Sequence, residues 1–453
     1  MLRVARTNAA AFLGALIAAA GGLPPTDDAH SLAVRSIEAY DSMARGYLHA
    51  AAFSPDGRRV AALATLPPAN FGRGPYPLTL QVWDAVALGM VASRDLGVVG
   101  GPARTWPPDE QDFSPYQCLL SYAPDGSFLV MADVNARFRT SAVFSLYDVT
   151  AHLRVISAGD LRDLRSIELD LPRYPPAYGP AQIQLSPAGD RLAVAISPLS
   201  VVSVVGLGAN CQDFQGTELR VYDVKTGGLA WNAAFKNARS GGVAWSPDGL
   251  KLALTLPSTR GDKWFSTLCP QHNADNLLIL ESSSGRVLTS VNTGDLPGPV
   301  CFGPHGQVFT APFHFYIRSS KGEQVKVWNA QTGALEHTIG LRGRDVHNMI
   351  ALSRDGRLLV GYVGKEKSGF SLRVLEDVQE IVDQRIAVWD AGTGGLLGVS
   401  QDLIPMSGLW RGKELKLRMH LAADGRSLLA NWDDAHAPLL LFDLPDTRIG
   451  PAR

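Results

Sequence analysis

Cysteine is scarce: four in 453 residues are too few to form the framework of a chain this long, and no Cys-x-x-Cys spacing offers a zinc or haem site. An excess of either charge is also lacking. With 42 Lys and Arg against 43 Asp and Glu, the net charge of -1 supplies no general field for a polyanion, which excludes non-specific nucleic-acid binding as the main task. Past residue 23 no apolar run approaches the roughly 20 residues of a membrane-spanning helix, so no integral membrane segment is expected. There is no His-Glu-x-x-His pair, no Gly-x-Ser-x-Gly elbow and no Walker loop. Gly206-Leu207-Gly208 lies between strand-like runs with no helix after it, so no dinucleotide site is expected. Neither metal nor cofactor is expected from these patterns. With 45 Gly and 29 Pro, a long helical bundle is excluded as well.

What is present begins with a leader. Arg3 and Arg6 precede an apolar run from Ala9 to Leu23, and Ala18-Ala19-Ala20 supplies small residues for cleavage, so residues 1–23 read as a signal peptide. An uncleaved anchor or a transit peptide is the alternative. The mature chain, 24–453, is expected in the periplasm or secreted. No Cys follows the apolar run, which argues against a lipid anchor there.

Repetition dominates the remainder. One phrase recurs seven times, as Phe53-Ser54-Pro55-Asp56-Gly57, Tyr122-Ala123-Pro124-Asp125-Gly126, Leu185-Ser186-Pro187-Ala188-Gly189, Trp245-Ser246-Pro247-Asp248-Gly249, Phe302-Gly303-Pro304-His305-Gly306, Leu352-Ser353-Arg354-Asp355-Gly356 and Leu421-Ala422-Ala423-Asp424-Gly425. Pro presets φ and Gly accepts a positive φ, so each phrase predicts a tight turn between two antiparallel strands. A second phrase follows each: Val82-Trp83-Asp84, Leu146-Tyr147-Asp148, Val221-Tyr222-Asp223, Ile279-Leu280-Glu281, Val327-Trp328-Asn329, Val388-Trp389-Asp390 and Leu441-Phe442-Asp443. Four copies run into a further turn at Gly227, Gly285, Gly333 and Gly394. One unit therefore holds four strands, A to D, and seven units predict an all-β, seven-bladed β-propeller of four-stranded antiparallel blades. The last unit lacks strand D. Residues 31–39, with Leu32, Val34 and Ile37, are expected to supply it and close the ring.

The Ser-Pro-Asp-Gly and Val-Trp-Asp phrases make the chain resemble the WD-repeat seven-bladed propellers over nearly all of residues 31–453. Exported Tol-system-like and dehydrogenase-associated propellers are also similar. The Gly-His that WD repeats carry before strand A is missing at most D–A connections, with His347 alone near the expected place. The resemblance implies fold more than function, since propellers host scaffolding, ligand-binding and catalytic roles.

The A–B turns are short, whereas long insertions enter the B–C connections, and one long D–A connection runs from Gly101 to Gln117. These fall on one rim, the expected binding face. Its aromatic and charged residues are the candidate binding set: Phe71, Arg73 and Tyr76; Arg137, Phe138 and Arg139; Trp264 and Phe265; Phe313, His314, Phe315, Tyr316 and Arg318; Trp410 and Arg411; Trp432 and Asp433. Residues 373–385, with Glu376, Asp377, Glu380 and Asp383, read as a short acidic helix with a solvated face. Cys211 and Cys269 fall in B–C insertions of consecutive units and are expected to form a disulfide. Cys118 and Cys301 read as buried free thiols, and His49, His347 and His420 lie at or near strand A, which lines the channel. No catalytic set emerges. The expectation is a monomeric, exported, non-catalytic propeller binding a protein or peptide partner through its long loops. A sugar binder is a further possibility. The main alternative is a propeller enzyme or a dehydrogenase-associated subunit, of lactonase, lyase or quinoprotein type, with its site at the central channel.

Overall fold

The computed structural model describes residues 30–37, 47–65, 76–99, 117–140, 145–169, 182–197, 199–204, 209–214, 216–236, 240–257, 275–295, 297–312, 324–340, 345–371, 376–401, 403, 417–422, 425–432 and 439–445. Two short strands come first, β1 (His30–Ser31) and β2 (Ala33–Ile37). Blade one is β3 (Tyr47–Phe53), β4 (Arg59–Thr65), β5 (Tyr76–Asp84) and β6 (Met90–Val99); blade two is β7 (Gln117–Tyr122), β8 (Phe128–Thr140), β9 (Ser145–Ser157) and β10 (Asp163–Leu169). Blade three is β11 (Gln182–Leu185), β12 (Arg191–Ile196), β15 (Gly216–Asp223) and β16 (Leu229–Lys236), with a separate hairpin, β13 (Leu199–Val204) and β14 (Ala209–Phe214), between its second and third strands. Blade four is β17 (Gly242–Trp245), β18 (Lys251–Thr255), β19 (Leu277–Glu281) and β20 (Val287–Val291); blade five is β21 (Pro297–Phe302), β22 (Gln307–Pro312), β23 (Val325–Asn329) and β24 (Leu335–Ile339). Blade six is β25 (Asp345–Leu352), β26 (Leu358–Ser371), β27 (Glu376–Asp390) and β28 (Leu396–Val399). Blade seven is β29 (Leu417–Leu421), β30 (Ser427–Trp432), β31 (Leu439–Asp443) and the N-terminal β2.

The inner strands touch in cyclic order, β3 to β7, β11, β17, β21, β25, β29 and back to β3, so the molecule is a closed seven-bladed propeller. Among the described residues there is no helix, and none therefore long and apolar enough to cross a membrane.

The core is divided into seven layers, one in each gap between blades. Leu63, Leu80 and Leu129 meet between blades one and two, Val130, Leu153 and Tyr222 between two and three, and Leu219, Leu252 and Leu280 between three and four. The same arrangement continues round to Val60, Leu429 and Leu441 between blades seven and one. A middle strand thus has both faces covered, which is why Val60-Ala61-Ala62-Leu63-Ala64 is an unbroken apolar run, fully buried throughout. The outer strand β16 has one face in solvent, and its burial accordingly alternates.

The turn phrase works as its residue types require. All seven A–B glycines hold φ between 69° and 75°. In blade one, Ser54 Oγ donates to Asp56 Oδ1 at 2.5 Å, and accepts from the Arg59 amide at 2.9 Å. Blades four and six repeat this with Ser246 and Asp248, and with Ser353 and Asp355. In blade three Ala188 occupies the aspartate position, and Ser186 Oγ turns to Asp190 instead, at 2.8 Å. The aspartate of the second phrase is a turn cap: Asp84 Oδ1 accepts the amides of Val86 and Ala87 at 2.8 and 2.7 Å, and Asp223 and Asp390 act alike.

Blade two departs from the expected alignment. Leu146-Tyr147-Asp148 does not end its third strand; β9 continues to Ser157, and the C–D turn closes where the Leu161 amide meets the Ser157 carbonyl at 3.0 Å. Leu161 takes the left-handed conformation, φ 58°, that glycine holds in blades three to six, and Leu88 does so in blade one, at 57°. Neither turn carries the Thr-Gly signal, which is why pattern alone misplaced the strand end in blade two.

Candidate functional site

In a four-stranded meander the A–B and C–D turns share one rim, and the B–C and D–A connections share the other. On the first rim each A–B turn spans no more than five residues between strand ends. On the second, among the described residues, three B–C connections grow into β-ribbons. In blade two, β8 and β9 stay paired from Phe128 opposite Ser157 out to Thr140 opposite Ser145. Among the described residues, the outermost pairs of their neighbours are Gln117 with Val134 and Leu169 with Ala151. Residues beyond that level form a two-stranded arm, in which Arg137 lies opposite Asp148 and Phe138 opposite Tyr147.

Blade six carries a second arm. Past the pairing of Asp345 with Gly364, β26 and β27 continue from Lys365 opposite Val382 to Ser371 opposite Glu376. The acidic helix expected over 373–385 is therefore wrong for its described part: Glu376, Asp377, Glu380 and Asp383 lie on strand β27. The charges drew attention from Val378, Ile381 and Val382, whose β-branched side chains favour the ladder that β26 offers. The third ribbon is the β13–β14 hairpin of blade three, paired from Leu199 opposite Phe214 to Val204 opposite Ala209.

Of the candidate binding residues, Arg137, Phe138 and Arg139 lie on the blade-two arm, Tyr76 opens β5 and Trp432 ends β30. Phe71, Arg73, Trp264, Phe265, Phe313, His314, Phe315, Tyr316, Arg318, Trp410, Arg411 and Asp433 lie outside the described residues. Cys211 is on β14, and its expected partner Cys269 is likewise outside. Cys118 and Cys301 are half-buried and form no disulfide. Cys301 Sγ donates to the Ile350 carbonyl at 3.5 Å, and burial pushes its pKa up to about 12, which leaves it protonated and unreactive at neutral pH.

The strand-A histidines stand at different levels. His420 occupies the turn-phrase position of Ala52, three residues along the strand from His49, or about 10 Å. Among the described residues no group of three His, Cys, Asp or Glu is placed to hold a metal ion.

Two features escaped the sequence pattern. A cleft of about 400 Å³ opens on the looped rim between blades three and four, lined by Phe235, Lys236, Leu256, Asp275, Leu278 and Ser290, with Ser290 Oγ donating to Asp275 Oδ2 at 2.7 Å. The second is a polar row at the root of the blade-two arm. Asp133, buried on β8, faces His152 on β9, with Oδ2 and Nδ1 3.5 Å apart, and Glu168 on β10 is paired with His152 on the far side. A charged residue at an inward strand position is a visible signal only once the register is known. No protein-family model matches the chain, and no curated protein matches it either.

Proposed function

We propose that the protein is an exported, non-catalytic scaffold, a monomeric ring of the WD-repeat-like kind, that binds a protein or peptide partner through its B–C and D–A connections. The observation carrying this reading is an asymmetry of the rims among the described residues: the connections between strands on one are tight turns, and the other bears ribbons from blades two, three and six. Ribbons present main-chain edges and alternating side chains to a partner, and loops on a rigid scaffold are where binding residues concentrate. Arg137, Phe138 and Arg139 belong to the side-chain types that anchor interfaces, and we assign Trp264 and Phe315 to the same surface. Export would place Cys211 and Cys269 in an oxidising compartment, where their disulfide would tie the blade-three hairpin to the next blade's insertion.

The test is cross-linked capture from a periplasmic extract, using the full ring and a variant whose blade-two arm, residues 135–150, is replaced by an Asn-Gly turn. A specific partner is expected with the full ring and lost with the shortened one. Phe138→Ala, and separately Trp264→Ala or Phe315→Ala, should weaken capture by about 10-fold. Partner capture indifferent to all of these changes would overturn the choice of face.

A further inference from the structure

The blade-two arm leaves the ring at the level of Val134 and Ala151, and the residues just inside that level are the polar row. Cross-strand neighbours share a face of the sheet, so Cys118, Asp133, His152 and Glu168 form one line across all four strands of the blade. Asp133 is 6% exposed, whereas the His152 side chain is 37% exposed, so the carboxylate is shielded and the imidazole exchanges protons with solvent. We propose that Asp133, His152 and Glu168 form a proton-operated latch at the root of the arm, which holds the arm in register while His152 is protonated and loosens it when the proton leaves.

The charges around the imidazole favour this. β9 is sandwiched between β8, which presents Asp133, and β10, which presents Glu168; Cys118 on β7 is one strand further in. Among the described residues, the cation acting on it is Arg154, two residues along its own strand, whose Nη1 donates to the Leu96 carbonyl of blade one at 3.1 Å. Arg94 of blade one is held at 2.6 Å by Asp163. Two carboxylates thus flank one imidazolium. When it is neutral, the ion pair across β8 and β9 is lost, and the two carboxylates remain on adjacent sides of β9.

The hydrogen bond from His152 to Asp133 raises the histidine above its ordinary value of 6.5, with Asp133 and Glu168 adding charge attraction and burial opposing them. A raised folded-state value means the stabilisation is fully present below pH 6.5 and disappears as pH rises through the higher folded-state value. The arm root is therefore tight below pH 6.5 and loosens as pH rises through the histidine's raised value. The consequence for partner binding, weaker capture at higher pH, rests on the function proposed above; the latch itself does not.

Hydrogen exchange of the arm amides in the full chain, at about pH 6 and about pH 8 and corrected for intrinsic rates, tests it. Protection is expected to fall about fivefold at the higher pH, the scale of one part-exposed ion pair. His152→Gln should show the low protection at both values. Glu168→Gln, at an exposed position that leaves the buried Asp133 paired, should narrow the difference and lower the pKa of His152 followed by NMR. Equal wild-type protection at the two pH values, or a pH dependence that survives His152→Gln, would overturn the latch. Since exchange needs no partner, a failed latch is distinguishable from a failed scaffold: arm removal without effect on capture refutes the scaffold alone.

Discussion

Gly249 and Gly356 occupy the same turn position with nearly the same backbone, φ +72° and +71°, and differ in a single neighbour. A Cβ at Gly249 would meet nothing within 4 Å, whereas one at Gly356 would overlap Cδ and Cγ of Pro304 in the preceding blade. Gly189 and Pro124 stand in the same relation, with a Cβ approach of 3.0 Å. In these two pairs the proline of one phrase seats the glycine of the next, so the two residues are coupled between blades as well as within a turn. Gly249→Ala is expected to cost about 1–2 kcal/mol, the strain of a left-handed residue with a side chain. Gly356→Ala adds displacement of the proline ring, for about 2–4 kcal/mol in all. Denaturant titration of the two variants measures the difference, and equal losses would show that the contact between turns contributes nothing. Leu88 and Leu161 bear the same strain with side chains in place. Leu161 is 3% exposed in the layer between blades one and two, so burial offsets it.

The element that recurs with most chemical content is the C–D turn. Its cap carboxylates Asp84 and Asp223 are held below the ordinary carboxylate value, chiefly by the amides they accept, from Ala87 and Val86 and from Thr226. A lowered folded-state pKa supplies stability above pH 3.8 that is lost as pH falls through the lower value, so these turns weaken only in strong acid. Blade five shows the neutral counterpart, since Asn329 Oδ1 accepts the amides of Gln331 and Thr332, both at 3.0 Å. The double variant Asp84→Asn, Asp223→Asn should therefore keep the fold at pH 7 and flatten the fall of Tm on acidification. Superimposable acid profiles for variant and wild type would refute the charge as the cause. These turns were legible because glycine, proline and aspartate act locally: Pro-Asp-Gly and Asp-x-x-Thr-Gly each encode a backbone conformation within six residues. The ribbons were not. The length of β27 depends on β26 being extended opposite it, and Glu376-Asp377 reads as helix or strand until that partner is known. The root of the blade-two arm was hidden for the same reason, since Asp133 and His152 are 19 positions apart in sequence and meet only through the register of β8 and β9.

At the scale of the whole molecule the question is what keeps seven similar blades in one cooperative ring. Each blade buries its faces only against its neighbours, so an open array would split one layer and leave two apolar blade faces exposed. The N-terminal segment prevents this across one gap. Ala33 to Ile37 pair antiparallel with Leu439 to Asp443 as the outer strand of blade seven, as the missing last strand implied. His30 and Ser31, unforeseen in the sequence, pair parallel with Gly398 and Val399 on blade six. Between them Leu32, 4% exposed, enters the layer that holds Leu358, Val388, Leu428 and Phe442, and its amide donates to the Val399 carbonyl at 3.3 Å. One segment therefore grips two blades, with a buried leucine at the crossing. Leu32→Ala should cost about 2–4 kcal/mol, the range for removing a fully buried leucine. Removal of residues 30–37 should do more than destabilise blade seven: with the edge of β31 unpaired and the gap between blades six and seven open, protease cleavage is expected first in those two blades. A peptide covering 30–37 added in trans should suppress that cleavage, because strand and pocket remain for it to occupy. Thermal denaturation and limited proteolysis read both effects. If the shortened chain melts and resists protease like the wild type, the segment is an accessory strand, and closure must reside in the direct contact of β29 with β3.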